Sequence, residues 1–281
     1  MMFRALLIGL VVASCASSAQ TESVTENRFR QVMKATADSA WVKLPMGDFI
    51  AKVAMQFLGT PYVGGTLEGT GSEVCRVDLG GLDCVTLFEN SLNIARIARQ
   101  GKSTLPDLRD AVTFTRYRDG VLSGYTSRLH YTLEWIRNNV AKGTVVDVSR
   151  SLGGTATLFG VDFMSTHPQY YPALKSDPKA TAEMARIEER LRRDTMYVIP
   201  RGGIRKIESE LQTGDIVAIA TSKKGLDYAH TGLVIRDGMR ARLLHASSTR
   251  KQVILDDYLS DVVQRVESWT GISVVRPVDG R

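Results

Sequence analysis

Apolar residues recur along this chain with two different periods, and each period predicts one kind of element. Over residues 46–58 they recur every three or four positions, which is the spacing of one face of a helix. The same spacing follows Asp83 and stops before Gly101, with Asp83 in the place of an N-cap. Asp177 followed by Pro178 predicts the start of a third, highly charged helix.

The C-terminal third of the chain has the shorter apolar runs and turn signals of a β-rich region. Residues 215–220 form a continuous apolar run, which predicts a short buried strand. Residues 229–236 and 239–246 flank Asp237 and Gly238, a residue pair typical of a two-residue hairpin turn. These runs predict an antiparallel hairpin.

This hairpin brings two histidines together. With residues 237 and 238 as the turn, His230 is predicted to lie directly opposite His245, and Gly232 opposite Leu243. Directly opposed side chains have Cβ atoms about 4.5–5.5 Å apart on one face of the sheet. A slip of one residue would place the two rings on opposite faces.

Helices followed by a β-rich region predict an α+β fold. Residues 20–45 form a polar lead-in with helix-forming composition, and residues 46–281 are expected to form one domain. Residues 102–204 differ in character, with short apolar runs mixed with Arg, Tyr and Pro. Within this segment, residues 127–140 fit a strand or a helix.

The first 19 residues have the pattern of an export signal. Arg4 precedes an apolar run over residues 5–13, which is too short to span a bilayer. The sequence Val-Ala-Ser-Cys ending at Cys15 looks like a bacterial lipobox, and it predicts that Cys15 is lipidated and anchors the protein to a membrane. Ordinary signal cleavage near the following small residues is the alternative. Both interpretations predict an exported protein, periplasmic or an outer-membrane lipoprotein.

Composition narrows the function classes. The 281 residues are 43% hydrophobic, enough for a sizeable core, and carry a net charge of +6. The charge suits an anionic partner such as cell-wall polymer or a lipid surface, or simply a soluble surface. Zinc-finger spacing, aromatic RNA-binding motifs and dense basic stripes are all missing from the sequence, so nucleic acid is not an expected partner.

Two cysteines remain beyond the leader, Cys75 and Cys84. An exported pair raises the possibility of a disulfide. Residues 73–79 alternate between apolar and polar positions, however, and this favours a strand in which Cys75 is a buried, unpaired thiol.

Cys84 carries the candidate chemistry. It follows a glycine turn at the start of a predicted helix, where unpaired N–H groups and the helix dipole favour a thiolate near neutral pH. His230 would act as base and then acid, and His245 would orient its ring. The N–H of Cys84 and the hydroxyl of Tyr62 are candidate oxyanion donors. A zinc site built from the same cysteine and histidines with Asp83 is the alternative.

The order of these motifs resembles that of NlpC-type cell-wall cysteine peptidases of papain-like fold. The motifs are Gly59-Thr60-Pro61-Tyr62-Val63-Gly64-Gly65, Leu82-Asp83-Cys84-Val85, Thr213-Gly214-Asp215-Ile216, Tyr228-Ala229-His230-Thr231-Gly232 and Leu244-His245-Ala246. Further segments resemble the N-acetylmuramoyl-L-alanine amidase-like branch of that superfamily. They are Arg128-Leu129-His130-Tyr131 with Glu134-Trp135, Phe163-Met164-Ser165-Thr166-His167, Tyr197-Val198-Ile199-Pro200 and Gly225-Leu226-Asp227-Tyr228.

The resemblance covers roughly residues 46–260 and implies a catalytic helix packed on a mostly antiparallel sheet or barrel. It also implies that residues 46–281 form a single catalytic domain, with residues 102–204 as a large insertion between helix and sheet that walls the substrate groove. It implies hydrolysis of the bond between muramic acid and L-alanine in muramyl-peptide fragments by Cys84, His230 and His245, without a cofactor or metal. Tyr62, Asp83, Arg128 and His130 are expected to serve the oxyanion or the substrate pocket. Cys75 stands where the family pattern has an aliphatic residue.

Two other functions stay open on this sequence. One is an endopeptidase of the same mechanism that cuts the γ-D-glutamyl bond inside the stem peptide. The other is a lipoprotein that binds cell-wall fragments without cutting them. Neither the exact muropeptide nor the oligomeric state is predicted.

Overall fold

The structure of the chain, a computed structural model, describes residues 4–69 and 71–279, with side chains from residue 20 onward. That part contains ten α-helices and eight β-strands. The helices are α1 Arg4–Asp38, α2 Met46–Met55, α3 Cys84–Arg99, α4 Leu105–Arg116, α5 Thr132–Ala141, α6 Phe163–Thr166, α7 Pro172–Ser176, α8 Pro178–Leu191, α9 Ile204–Ile207 and α10 Leu259–Gln264. The strands are β1 Val145–Asp147, β2 Thr155–Leu158, β3 Thr195–Pro200, β4 Ile216–Thr221, β5 Tyr228–Asp237, β6 Arg240–Ser247, β7 Gln252–Tyr258 and β8 Trp269–Pro277.

The strands form one antiparallel sheet in the order β2-β3-β8-β4-β5-β6-β7, with β1 also paired to β8. Helices and strands are mixed, so the predicted α+β class is confirmed. The sheet is buried on both faces at its centre, where all six residues of β4 are buried. This double burial explains why β4 is a continuous apolar run in the sequence rather than an alternating one.

Side chains of the central strands alternate between two hydrophobic clusters. Ile216 and Leu233 belong to the cluster that also contains the buried faces of α2 and α3. Val217 and Val234, one position further along each strand, belong to the cluster formed with α9 and α10. Helices therefore cover both faces of the central sheet.

Helix α3 is the most buried helix and begins at Cys84. Asp83 is its N-cap: the carboxylate accepts hydrogen bonds from the N–H groups of Val85 at 3.1 Å and Thr86 at 2.8 Å. The hydroxyl of Thr86 accepts the N–H of Asp83 in return, at 2.9 Å, which completes a capping box. The predicted start of this helix is confirmed.

The polar lead-in belongs to α1, and it packs on the body of the protein. Phe29 and Val32 of α1 are buried in the main cluster. Thr25 of α1 is fully buried, and its hydroxyl accepts the N–H of Leu79 at 3.2 Å. The side chains of the expected leader, including Cys15, lie outside the described part. Across the described residues, every helix is too short or too polar to cross a membrane.

The prediction of a strand over residues 73–79 is wrong. This segment pairs with no strand in the described structure, and side chains satisfy its carbonyl groups instead. Arg116 donates to the carbonyl of Arg76, and Tyr117 donates to that of Val74 at 3.3 Å. Cys75 is a free, half-buried thiol beside Arg116.

The segment predicted to be an insertion, residues 102–204, supplies part of the sheet. It contains β1, β2 and β3, and both β1 and β3 pair with β8. Residues 132–141 form α5, so the uncertain stretch over 127–140 is mainly helical. The segment thus adds strands to one side of the sheet and helices around it.

Candidate active site

Cys84 is the first residue of α3, and its thiol lies beside Thr231 of β5. The capping box takes the N–H groups of Val85 and Thr86, while the N–H of Cys84 lies near its own sulfur. Thr231 directly follows His230 in the chain. The helix start therefore meets the strand at the residue next to the candidate base.

The β5–β6 hairpin has a register two residues away from the predicted one. Leu233 pairs with Leu244, and Asp237 pairs with Arg240 across the end of the ladder. The two-residue turn is therefore Gly238 and Met239, rather than Asp237 and Gly238. Gly238 has a φ of 58°, and the first central position of such a turn favours this left-handed conformation.

The prediction that His230 lies directly opposite His245 is therefore wrong, but the two rings still share a face. A shift of two residues preserves the face because side chains alternate with a period of two. Gly232 now lies nearest His245: a Cβ built on Gly232 would stand 3.1 Å from the Cβ of His245. The two histidines are diagonal neighbours, and a glycine fills the place between them.

The two rings are hydrogen bonded and lead to a carboxylate. Nε2 of His230 lies 2.6 Å from Nδ1 of His245, and the rings meet edge to face. Nε2 of His245 lies 3.2 Å from Oδ2 of Asp256 on β7. Arg265 pairs with the other oxygen, Oδ1 of Asp256, at 3.0 Å, and also with Asp257. The site is thus a chain of four side chains that ends in a salt bridge.

Burial dominates the electrostatics of the candidate nucleophile and base. Burial raises the pKa of the Cys84 thiol to about 11, the Asp83 carboxylate adds to the rise, and Thr231 opposes it. Burial and then the neighbouring His245 lower the pKa of His230 to about 3. Loss of solvation thus acts against the thiolate expected near neutral pH and outweighs the helix N-terminus, and the charge state of Cys84 stays a prediction.

Tyr62 is close to the nucleophile, in a loop that runs along the turn before α3. Its neighbour Val63 donates to the carbonyl of Leu82 at 3.0 Å. Burial raises the pKa of Tyr62, and the neighbouring Cys84 and Asp83 add to the rise. Its hydroxyl therefore stays protonated and available as a hydrogen-bond donor near neutral pH.

Arg128 is surrounded by protein groups. The guanidinium is buried, pairs with Glu68 at 2.8 Å and Glu73 at 3.3 Å, and donates to the carbonyl of Leu67 at 3.2 Å. It also lies over the ring of Tyr125, 4.8 Å from the ring centroid. These contacts tie the loop before residue 73 to the segment around residue 125, and its role toward substrate stays a prediction.

His130 is held next to this arginine. One ring nitrogen, Nε2, lies 2.9 Å from the carbonyl oxygen of Tyr125. Burial and then the charge of Arg128 lower the pKa of His130 to about 3, so the ring is neutral. Like that of Arg128, its contact with substrate is a prediction that the fold alone does not test.

Two residues that contact the histidines carry no signal in the sequence. Trp269 of β8 stacks on His230, with ring centroids 5.5 Å apart and planes 9° apart. Asp256 reaches His245 from β7. No local motif marks either residue, because each contact depends on which strands become neighbours. Among the side chains described, those of residues 20–69 and 71–279, no group of three or more His, Cys, Asp and Glu is arranged to hold a metal ion.

Comparison with known proteins finds one family. A family model described as AmiA-like, N-acetylmuramoyl-L-alanine amidase-like, matches residues 52–272. A comparison with curated proteins found no match.

Several solved structures are similar. A crystal structure of an N-acetylmuramoyl-L-alanine amidase from Bacteroides uniformis shares 34% sequence identity, covering 83% of this chain and 98% of that one, with a TM-score of 0.77. A protein from Bacteroides fragilis that carries a provisional description as a xylanase shares 35% identity over 79% of this chain and 98% of its own, with a TM-score of 0.74. A Legionella pneumophila protein with 19% identity covers 93% of this chain and 98% of its own, with a TM-score of 0.67, and shares the fold.

Proposed function

The chain belongs to the N-acetylmuramoyl-L-alanine amidase-like family, and from that premise we propose that it is a cysteine amidase. Its substrate is a muramyl-peptide fragment of peptidoglycan, and the bond it hydrolyses joins the lactyl group of muramic acid to L-alanine. The observation that carries the proposal is the placement of Cys84 at a helix start, against the strand that holds His230. A Cys-His pair with a third orienting group is the arrangement that nucleophilic amide hydrolysis requires.

The first half of the reaction forms a thioester. Cys84 gives its thiol proton to His230 as the sulfur attacks the lactyl carbonyl carbon. His230 then passes that proton to the nitrogen of L-alanine, the C–N bond breaks, and the peptide leaves with a free amine. Because thiol and imidazole are both neutral at rest, proton transfer accompanies the attack rather than preceding it.

The second half hydrolyses the thioester. His230 takes a proton from water, the hydroxide attacks the same carbonyl carbon, and Cys84 leaves and regains a proton. In both halves negative charge develops on the carbonyl oxygen. The N–H of Cys84 and the hydroxyl of Tyr62 are the donors we assign to it. Loss of one such donor typically costs on the order of 100- to 1,000-fold in rate.

Three expectations about the rest of the chain join this proposal. The fold is of the NlpC papain-like type, with residues 46–281 as the catalytic unit and residues 102–204 walling the substrate groove, including Arg128 and His130. Residues 1–19 direct export, with Cys15 as a lipid anchor where the lipobox is used. The protein then acts outside the cytoplasm, where peptidoglycan fragments arise.

Product analysis tests the activity. The protein is incubated with a defined muramyl peptide and separately with the free stem peptide, and the products are identified by mass spectrometry. An amidase releases an intact peptide that begins with L-alanine, and leaves the free peptide uncut. Cleavage inside the stem peptide would instead establish the endopeptidase alternative. No cleavage, with binding retained, would establish the wall-binding alternative.

Replacing the nucleophile tests the mechanism. We expect Cys84→Ala to lose hydrolysis by at least about 1,000-fold, since the thioester can no longer form. Cys75→Ala is the matched control, because Cys75 is also a free thiol but lies beside Arg116. It should keep turnover within a few-fold. Normal turnover by Cys84→Ala, with thermal unfolding showing a folded protein, would remove Cys84 from the mechanism.

A further inference from the structure

Asp256 stands at one end of a chain of hydrogen bonds that runs through His245 to His230. Its Oδ2 faces Nε2 of His245, and Nδ1 of His245 faces Nε2 of His230. Each ring nitrogen either donates or accepts, so the state of one end of this chain fixes every bond along it. What matters for catalysis is which nitrogen of His230 holds the lone pair.

The carboxylate fixes the first bond. Asp256 is ionised: burial opposes ionisation, but the N–H of Asp257, then Arg265 and His245, lower its pKa overall. An ionised carboxylate only accepts hydrogen bonds, so Nε2 of His245 must carry the proton. Neutral His245 then has its lone pair on Nδ1.

The second bond follows from the first. Because Nδ1 of His245 accepts, Nε2 of His230 must donate, and the neutral ring of His230 has its lone pair on Nδ1. This is the nitrogen that His245 does not occupy, and so the one free to take a proton from the Cys84 thiol. In the other tautomer Nδ1 of His230 would carry a proton and could not accept one.

A β-bulge places Asp256 at this point. Arg242 pairs with Tyr258 and Leu244 pairs with Leu255, so two residues of β7, 256 and 257, oppose one residue of β6. The side chain of Arg242 binds the carbonyl oxygen of Asp256 at 2.9 Å, which satisfies a group that the bulge leaves out of the ladder. The carboxylate is therefore held from its backbone as well as from Arg265.

We propose that Asp256 is a positioning residue that sets the tautomers of His245 and His230, and thereby keeps the accepting nitrogen of His230 on Nδ1. The charge that develops on His230 when it accepts the thiol proton is stabilised along the same chain. The consequence for turnover rests on the proposed function, whereas the tautomers can be measured without any substrate.

Asp256→Asn is the informative variant because neighbouring donors determine which way round the oxygen and the NH2 group of its side-chain amide lie. Oδ1 of Asp256 receives two donors, the N–H of Asp257 at 2.7 Å and Arg265 at 3.0 Å. In the variant the carbonyl oxygen must keep that position, so the NH2 group takes the place of Oδ2. It donates to Nε2 of His245, and both rings change to the Nδ1–H tautomer.

The experiment uses nitrogen-15 NMR of the imidazole rings together with turnover of a muramyl peptide. The chain has four histidines, so single His→Gln variants assign the spectrum. We expect Nε2–H tautomers for His230 and His245 in the unaltered protein and Nδ1–H tautomers in Asp256→Asn. We also expect kcat to fall about 100-fold or more with little change in KM, in line with the ~10⁴-fold loss when the aspartate of a Ser-His-Asp triad becomes asparagine.

Asp257→Asn is the matched control. Asp257 also pairs with Arg265 but makes no bond to His245, and its side chain is mostly exposed. It should keep both tautomers and turnover within about three-fold of the unaltered protein. Unchanged tautomers in Asp256→Asn would overturn the inference, and so would changed tautomers with unchanged kcat. An unaltered protein that fails to hydrolyse would refute the proposed function, while the NMR result would still decide the inference about Asp256.

Discussion

At the scale of single residues, burial is the dominant influence on the chemistry of the site. A helix N-terminus stabilises a thiolate, typically by a fraction of a kcal/mol to about 2 kcal/mol. Loss of water around this half-buried thiol acts in the opposite direction and is larger here, since the pKa of Cys84 rises to about 11. The neighbouring Asp83 carboxylate, which caps the same helix, adds to that rise.

The pH dependence of Cys84 alkylation tests this balance. Iodoacetamide reacts with the thiolate, so with a pKa of about 11 the rate should rise roughly ten-fold for each pH unit between pH 6 and 9. The rate at Cys84 is followed by mass spectrometry of its tryptic peptide, which separates it from Cys75. A rate that is already at its plateau near pH 5 would mean a preformed thiolate–imidazolium pair.

At the scale of elements, α1 is joined to the loop that leads to Cys84. The hydroxyl of Thr25 accepts the N–H of Leu79, four residues before Asp83. Val24 covers the adjoining glycine turn, where a Cβ on Gly80 would stand 2.7 Å from Cγ1 of Val24. The lead-in helix therefore supports the turn from which α3 begins, and the turn needs glycine to fit beneath it.

Substitution of two buried threonines on α1 tests how much the hydrogen bond from Leu79 to Thr25 contributes to the free energy of unfolding. Thr25→Val leaves the N–H of Leu79 buried without an acceptor, and should lower the free energy of unfolding by about 1–3 kcal/mol. Thr36 is also buried on α1, but its hydroxyl has no hydrogen-bond partner, so Thr36→Val should be neutral or stabilising. Urea unfolding measures both. Equal losses in the two variants would show that the bond to Leu79 contributes nothing.

At the scale of the whole molecule, one buried carboxylate connects residues 102–204 to β5, and another holds that segment together. Asp227, directly before β5, accepts the N–H of Leu133 at 2.7 Å. Glu188 of α8 accepts the hydroxyl of Tyr131 at 2.6 Å and the N–H of Met164 at 3.0 Å. Since β5 also carries His230, the bond to Asp227 links this segment to the strand of the candidate base.

Buried neutral histidines should make the protein sensitive to acid. His130 and His230 have pKa values of about 3 in the folded protein and 6.5 when exposed, so the unfolded chain binds protons first as the pH falls below about 6.5. Their contribution to stability is lost progressively down to pH 3. Asp227 acts in the opposite direction, since burial raises its pKa to about 6, but it offsets only part of this loss.

We therefore expect the free energy of unfolding to fall by about 2 kcal/mol between pH 7 and pH 5, measured by urea titration. His130→Gln removes one titrating ring. It should lose less stability over the same interval, whatever its stability at pH 7. An equal pH-dependent loss in the variant would show that His130 does not titrate as a buried neutral ring.

Local interactions determined the elements that the sequence predicts correctly. The start of α3 depends on Asp83 and Thr86, which bond to backbone groups within three residues. The shared face of His230 and His245 depends only on alternation along two strands joined by a short turn. Both follow from neighbouring residues, so both are visible in the sequence, as is the buried run of β4.

Contacts between distant residues determined the rest. The two-residue shift of the hairpin, the bulge that brings Asp256 to His245, and the burial that raises the pKa of Cys84 each depend on how strands and helices pack. Residues 73–79 alternate between apolar and polar positions like a strand, but their carbonyl groups accept hydrogen bonds from side chains rather than from a partner strand. Sequence alone thus singled out Cys84, His230 and His245 as candidates, whereas tertiary packing decided how they are solvated and which carboxylate contacts His245, because solvation and strand neighbours are properties of the folded chain.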